Sequence, residues 1–321
     1  VKPQLSKAGP YDLVEVLHRG PRATTYLAVR DDSEVEVVLK MAVDPSLEEA
    51  ASSAMAPLVH RHIVHVVEQG YDNRFPYIVM ERLRGRTLAE LMADTNFVAD
   101  LPTKVDLIAQ VCLGLHHAHE QQVVHGNVRP DNVFVTDDGT TKILNFISLG
   151  AASAVDRTIV SDHPVVGSFE YMSPEQIIGR DALDGRSDVF SAGVVLYELI
   201  AGRRPFQGTS TTATLARILR DDPAALDVPP RLNAILKRAL DKEPEKRFAS
   251  AQELAYALWM MGMPEATLEP DAEPEDGASR TMIAEPAYEE EEAEAEAVVA
   301  EEEEGILTRC ANWIKRALGR E

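Results

Sequence analysis

Between Tyr11 and Met80 apolar and polar positions alternate in short runs: YDLVEVL (11–17), TTYLAV (24–29), VEVVLKMAV (35–43) and YIVM (77–80). Polar DDSE (31–34) separates the middle two. A period of two with β-branched enrichment predicts strands, and their close spacing predicts a small antiparallel sheet. From Thr103 the period lengthens. Val105, Ile108, Cys112, Leu115 and His119 fall at helical spacing, which predicts one amphipathic helix. A second helix is expected over about Ser187–Ala201, stopping at Gly202 with Pro205 soon after. It is apolar nearly all round, so it should be buried.

After Met263 the pattern disappears. EATLEPDAEPEDGASR and EEEEAEAEAVVAEEEE carry too little apolar surface to offset chain entropy, so 264–304 is expected to be a disordered acidic linker. Over 305–321, Ile306, Leu307, Cys310, Trp313, Ile314, Ala317 and Leu318 restore a helical stripe flanked by Arg309, Lys315, Arg316 and Arg320. About 14 helical residues reach only about 21 Å, too short for a bilayer. Three surfaces fit this stripe: an anionic membrane, a groove on a partner protein, and the chain's own folded domain.

Charge sharpens the division. The net charge is -21, and 18 acidic against 5 basic side chains from residue 264 onward leave -13 there and -8 over residues 1–263. Such a balance repels nucleic acid. No apolar run reaches bilayer length and the N-terminus lacks a signal-peptide pattern, so the expected location is cytoplasmic, with peripheral contact at the inner membrane face through 305–321. Cys112 and Cys310 fit no ligand spacing, and the histidines around His60 and His116 have no matching Cys/His pattern.

Six motifs in order carry a resemblance. VVLK (37–40), YIVMERLRGRTL (77–88), HGNVRPDN (125–132), GSFEYMSPEQ (167–176), DGRSDVFSAGVVLYEL (184–199) and DKEPEKRFAS (241–250) resemble those of bacterial Ser/Thr protein kinases related to the eukaryotic ones. The resemblance covers residues 11–263 and implies an α+β, two-lobed kinase fold. The small β-rich lobe should span about 11–81 and the larger helical lobe about 82–263, with 1–10 as a leader. It also implies an ATP pocket containing Lys40, Gly20, Glu81 and Asn132, and large-lobe scaffolding by Glu175, Asp188 and Arg247.

At the chemical positions the chain departs from the family. Asn127 stands where the family has a catalytic aspartate; an amide can orient a hydroxyl but cannot take its proton, a transfer worth roughly 10²–10⁴ in rate. Arg129 replaces the phosphate-steadying lysine. Asn145 replaces the metal-bridging aspartate, so Asn132 and Asn145 are weak magnesium ligands at best. Ile147 replaces a glycine, and the glycine-rich loop reads His18, Gly20, Ala23 with Pro21 inserted. The partner of Lys40 stays open: the family glutamate falls at Ala51, and Glu48 lies one turn earlier. Ser148, Ser153, Thr158 and Ser161 are modification candidates, although Gly126 replaces the arginine that would receive a phosphate.

The implied function is a catalytically impaired kinase homologue, a pseudokinase, acting as a regulatory and scaffolding module toward protein partners. No catalytic residue is expected in this reading. The alternative is a weakly active ATP-dependent Ser/Thr kinase. The cofactor is left unknown, with ATP the family's nucleotide and magnesium weak or dispensable.

Overall fold

The computed structural model describes residues 7–21, 23–44, 58–146, 169–179 and 183–262. The alternating segments form an antiparallel sheet of β1 (Lys7–Ala8), β2 (Tyr11–Arg19), β3 (Ala23–Arg30), β4 (Glu36–Ala42), β5 (Val66–Asp72) and β6 (Phe75–Glu81). Its order is β1-β2-β3-β4-β6-β5. One face packs Tyr11, Ala28, Val37, Leu39, Met41, Tyr77 and Val79 into a core, as strand alternation requires. The β5–β6 hairpin turns at Asn73 (φ 46°) and Arg74 (φ 73°), the paired positive φ that suits a tight two-residue hairpin.

The helical lobe follows. Thr87 and Glu90 form a capping box at the start of α1 (Leu88–Ala93). Asp100 caps α2 (Leu101–Glu120) by accepting from the Thr103 amide. This helix covers the expected amphipathic stretch and buries Val105, Ile108, Cys112 and Leu115. It lies so close to the His62 backbone that a Cβ on Gly114 would sit 2.7 Å from the His62 carbonyl, so only glycine fits there. A second sheet, β7 (Gly85–Thr87), β8 (Val133–Thr136) and β9 (Thr141–Ile143), carries the loops of the site.

Pro174–Ile177 forms the short α3. The second predicted helix is α4 (Gly185–Ala201), started by Asp184 and ended by Gly202 in the left-handed conformation (φ 66°). Twelve of its residues are buried, in keeping with its apolar circumference. Then follow α5 (Thr211–Arg220), α6 (Pro230–Ala239), which packs on α4, and α7 (Ala251–Trp259). A second compact unit begins at Trp259, of which residues 259–262 are described. Ile147, the four activation-segment hydroxyls, Glu48, Ala51, the acidic linker and 305–321 lie outside the described residues. No helix among the described residues is long and apolar enough to cross a membrane.

Candidate functional site in the cleft between sheet and helices

The site is built on one face of β4. Lys40 and Val38 lie two residues apart, hence on the same face, with Ile78 and Met80 opposite them on β6. Leu39 and Met41 point the other way, into the core. Lys40 reaches across to the helical lobe and donates to Asn145 Oδ1 at 2.8 Å. Burial lowers the Lys40 pKa, because removal from water disfavours the ammonium. Among the described residues its hydrogen-bond partner is this amide.

That contact fixes the next. An ammonium can only donate, so Asn145 must turn its oxygen to Lys40 and its NH₂ elsewhere. Asn145 Nδ2 donates to Asn132 Oδ1 at 2.8 Å, and Asn132 Nδ2 donates to the Asn127 carbonyl at 2.8 Å. The result is a relay from β4 through two side-chain amides to the 125–132 loop. Asn145 has φ 66°, a left-handed conformation that asparagine tolerates better than most residues.

Asp188, wholly buried on α4, anchors that loop. It accepts from the His125 amide at 2.8 Å, from the Gly126 amide at 2.8 Å and from the His119 ring at 2.8 Å. His125 is bonded at both ring nitrogens: Nδ1 accepts from the Asn127 amide and Nε2 faces the Leu144 carbonyl at 2.9 Å. A carbonyl only accepts, so the proton sits on Nε2. Burial lowers the His125 pKa and favours this neutral form. Gly126, at φ 67°, presents its carbonyl to Gln176 Nε2 at 2.8 Å. Below the loop, Glu175 pairs with Arg247 and accepts from the Ser187 hydroxyl.

The residues expected to meet nucleotide are differently disposed. Lys40, Asn132 and Asn145 are brought together, and Asn127 sits exposed beside them. Gly20 donates its amide to the Ala23 carbonyl at 2.9 Å, and Pro21 has no N–H, so neither offers a donor at the hairpin tip. The Glu81 carboxylate is held by the His65 amide and by Lys142 Nζ, both at 2.8 Å, so its side chain serves the junction of β6 and β9. Arg129 makes two bonds to Asp131 and lies 6.0 Å from the Tyr171 ring centroid, its charge balanced locally. Sequence reasoning missed these engagements. Asp131 was a visible signal two residues from Arg129, whereas Lys142 and Glu81 are 61 residues apart.

The donor set does not fit a magnesium ion well. Both side-chain oxygens at the expected ligand positions already accept N–H bonds, and both belong to neutral amides, where Mg²⁺ favours carboxylates and phosphates. Among the described residues no group of three or more His, Cys, Asp or Glu is disposed to hold a metal.

Comparison with known proteins places this geometry. The Protein kinase domain family matches residues 11–260. The chain is 32% identical over 266 residues to serine/threonine-protein kinase PknB of Mycolicibacterium smegmatis, covering 77% of this chain and 42% of that protein. It is 32% identical over 264 residues to PksC of Streptomyces coelicolor, covering 76% and 47%. The chain thus spans under half the length of these relatives. In structure it resembles the Mycobacterium tuberculosis PknI kinase domain at a TM-score of 0.59 and 24% identity, over 79% of this chain and 97% of that one, a likeness of fold. The family match spans the sheet, the relay and the buried α4 anchor alike, and the chain belongs to the protein kinase domain family.

Proposed function

We propose that this chain is a protein-kinase homologue impaired in phosphoryl transfer that acts as a regulatory binding module toward protein partners. The observation that carries the reading is the Lys40–Asn145–Asn132 relay, in which the Asn145 amide occupies the position where transfer needs a metal-bridging carboxylate. Asn127 compounds it, since no carboxylate stands there to take a hydroxyl proton. The scaffold around these positions is intact, which suits a fold kept for its surfaces. By the same proposal, 305–321 would serve as a tethered docking helix, for a membrane surface or a partner.

A second reading, a weakly active ATP-dependent Ser/Thr kinase, is favoured by the comparisons, because the relatives are named as serine/threonine-protein kinases. It retains Lys40 and Asn132 as nucleotide contacts and uses Asn127 to orient the acceptor hydroxyl. One experiment separates the two. Full-length chain is incubated with ATP, Mg²⁺ or Mn²⁺ and a general protein substrate, and products are read by intact-mass spectrometry. Impaired transfer predicts no phosphate addition above a Lys40→Met control; addition abolished by Lys40→Met establishes the kinase reading.

A further inference from the structure

The groups that would meet a nucleotide's phosphates are occupied, while the surface that would meet its base is not polar. The cleft-side face of the sheet presents half-buried Val38 and Met80, a ladder pair next to Lys40 and Ile78. Lys40 on this face reaches Asn145 in the helical lobe, so the face is the roof of the cleft. An apolar roof suits the face of a planar ring. Further in, among the described residues, a phosphate chain would find Lys40 as its cation, the other expected groups being engaged elsewhere. The Gly20 amide is bonded to Ala23, Pro21 has none, Arg129 is paired with Asp131, and the Asn132 and Asn145 oxygens accept N–H bonds.

Charge decides what such a cleft accepts. A triphosphate carries about four negative charges at neutral pH, which its bound magnesium partly neutralises. Among the described residues one ammonium, already disfavoured by burial, faces that charge, and the expected metal ligands are neutral amides engaged with N–H groups. A ribose and at most one phosphate ask less. Their hydroxyls can exchange bonds with the asparagine amides one for one, and a single phosphate matches the single lysine.

We infer that the cleft takes a nucleoside or nucleoside monophosphate, without a divalent cation, in preference to a metal-bound triphosphate. This ligand assignment rests on the impaired-transfer reading of the same site. Asn145 is its positioning residue, holding Lys40 where a single phosphate would reach it.

The test is calorimetric titration of the full chain with adenosine, AMP and ATP, each in Mg²⁺ and in EDTA. Adenosine and AMP should bind at least about tenfold more tightly than Mg²⁺-ATP, unchanged by EDTA, because no ligand at this site draws on the metal. Asn145→Asp should raise ATP affinity in Mg²⁺ only. Lys40→Met should weaken AMP and leave adenosine as it was, a contrast that a merely misfolded variant would not give. Tighter binding of Mg²⁺-ATP, or no binding of adenosine and AMP, overturns the inference. If Mg²⁺-ATP binds best and no transfer occurs, the ligand assignment alone falls; if phosphate is transferred, the impaired-transfer reading falls with it.

Discussion

Arg247 holds Glu175 in a two-bonded ion pair at 2.7 and 2.8 Å, with side chains 0% and 5% exposed, across 72 residues of sequence. Ser187 donates to the same carboxylate, and Arg247 also reaches the carbonyls of Asp241 and Arg186. Removing one partner of a buried pair leaves the other charge stranded, so Arg247→Ala should cost about 3–5 kcal/mol in chemical denaturation. A drop under about 1 kcal/mol would show the pair to be solvated in solution.

Glu175 also sets an acid limit. Burial alone would raise its pKa, but the Arg247 bonds and charge, with Ser187, outweigh burial and lower it. The folded state therefore binds this proton less readily than the unfolded chain. The stabilisation is full above pH 4.5 and fades as pH falls through the lower folded value. Glu175→Gln should flatten that acid limb in melting temperature against pH.

His60 acts at milder acidity. Burial, then the neighbouring His62, His117 and Lys142 charges, lower its pKa from 6.5 to about 4. Between these values the unfolded chain binds more protons, so stability should fall as pH drops from 6.5 toward 4. Its ring stacks on His117 with centroids 4.9 Å apart. Proton NMR titration should find the His60 ring neutral at pH 5.5; a midpoint near 6.5 would contradict the stacked, half-buried environment.

Lys40 acts in the same sense at the alkaline end. Its pKa is lowered from 10.5, so over the window below 10.5 the unfolded chain again binds more protons, and stability contributed by this site rises with pH. Subtracting a Lys40→Met curve from wild type isolates the effect. A difference that stays flat as pH approaches 10.5 from below would mean that Lys40 is hydrated rather than docked on Asn145.

Gly126 occupies the left-handed region at φ 67°, and the nearest atom to an added Cβ is Gln176 Nε2 at 3.8 Å. Space is available, so the penalty of an arginine there is conformational. Gly126→Arg should cost about 1–2 kcal/mol in urea denaturation without disturbing the fold. A larger loss would mean that the loop clashes with the longer side chain.

The frame of this molecule was legible because local signals agreed with one another. Alternation marked β2, β3, β4 and β6 but not β5, and helical periodicity marked α2 and α4 to within about two residues. Motif order placed Lys40, Asn132 and Asn145 near one another, and Glu175 beside Arg247. What sequence withheld was orientation. That Asn145 turns its oxygen to Lys40 follows only once the two are 2.8 Å apart. The engagement of the Glu81 carboxylate by Lys142 and of Gly20 by Ala23 likewise depends on which groups the fold brings within reach.

The relay from Lys40 to the 125–132 loop contains one ammonium, two amides and a backbone carbonyl, with no exchangeable ion at any step. Each step is a bond between groups that the chain itself supplies, so the tie from β4 to the loop does not draw on a bound metal. A tie made only of the chain's own amides and one lysine asks for no divalent cation, so a chelator that would loosen a metal-bridged cleft should leave this one standing.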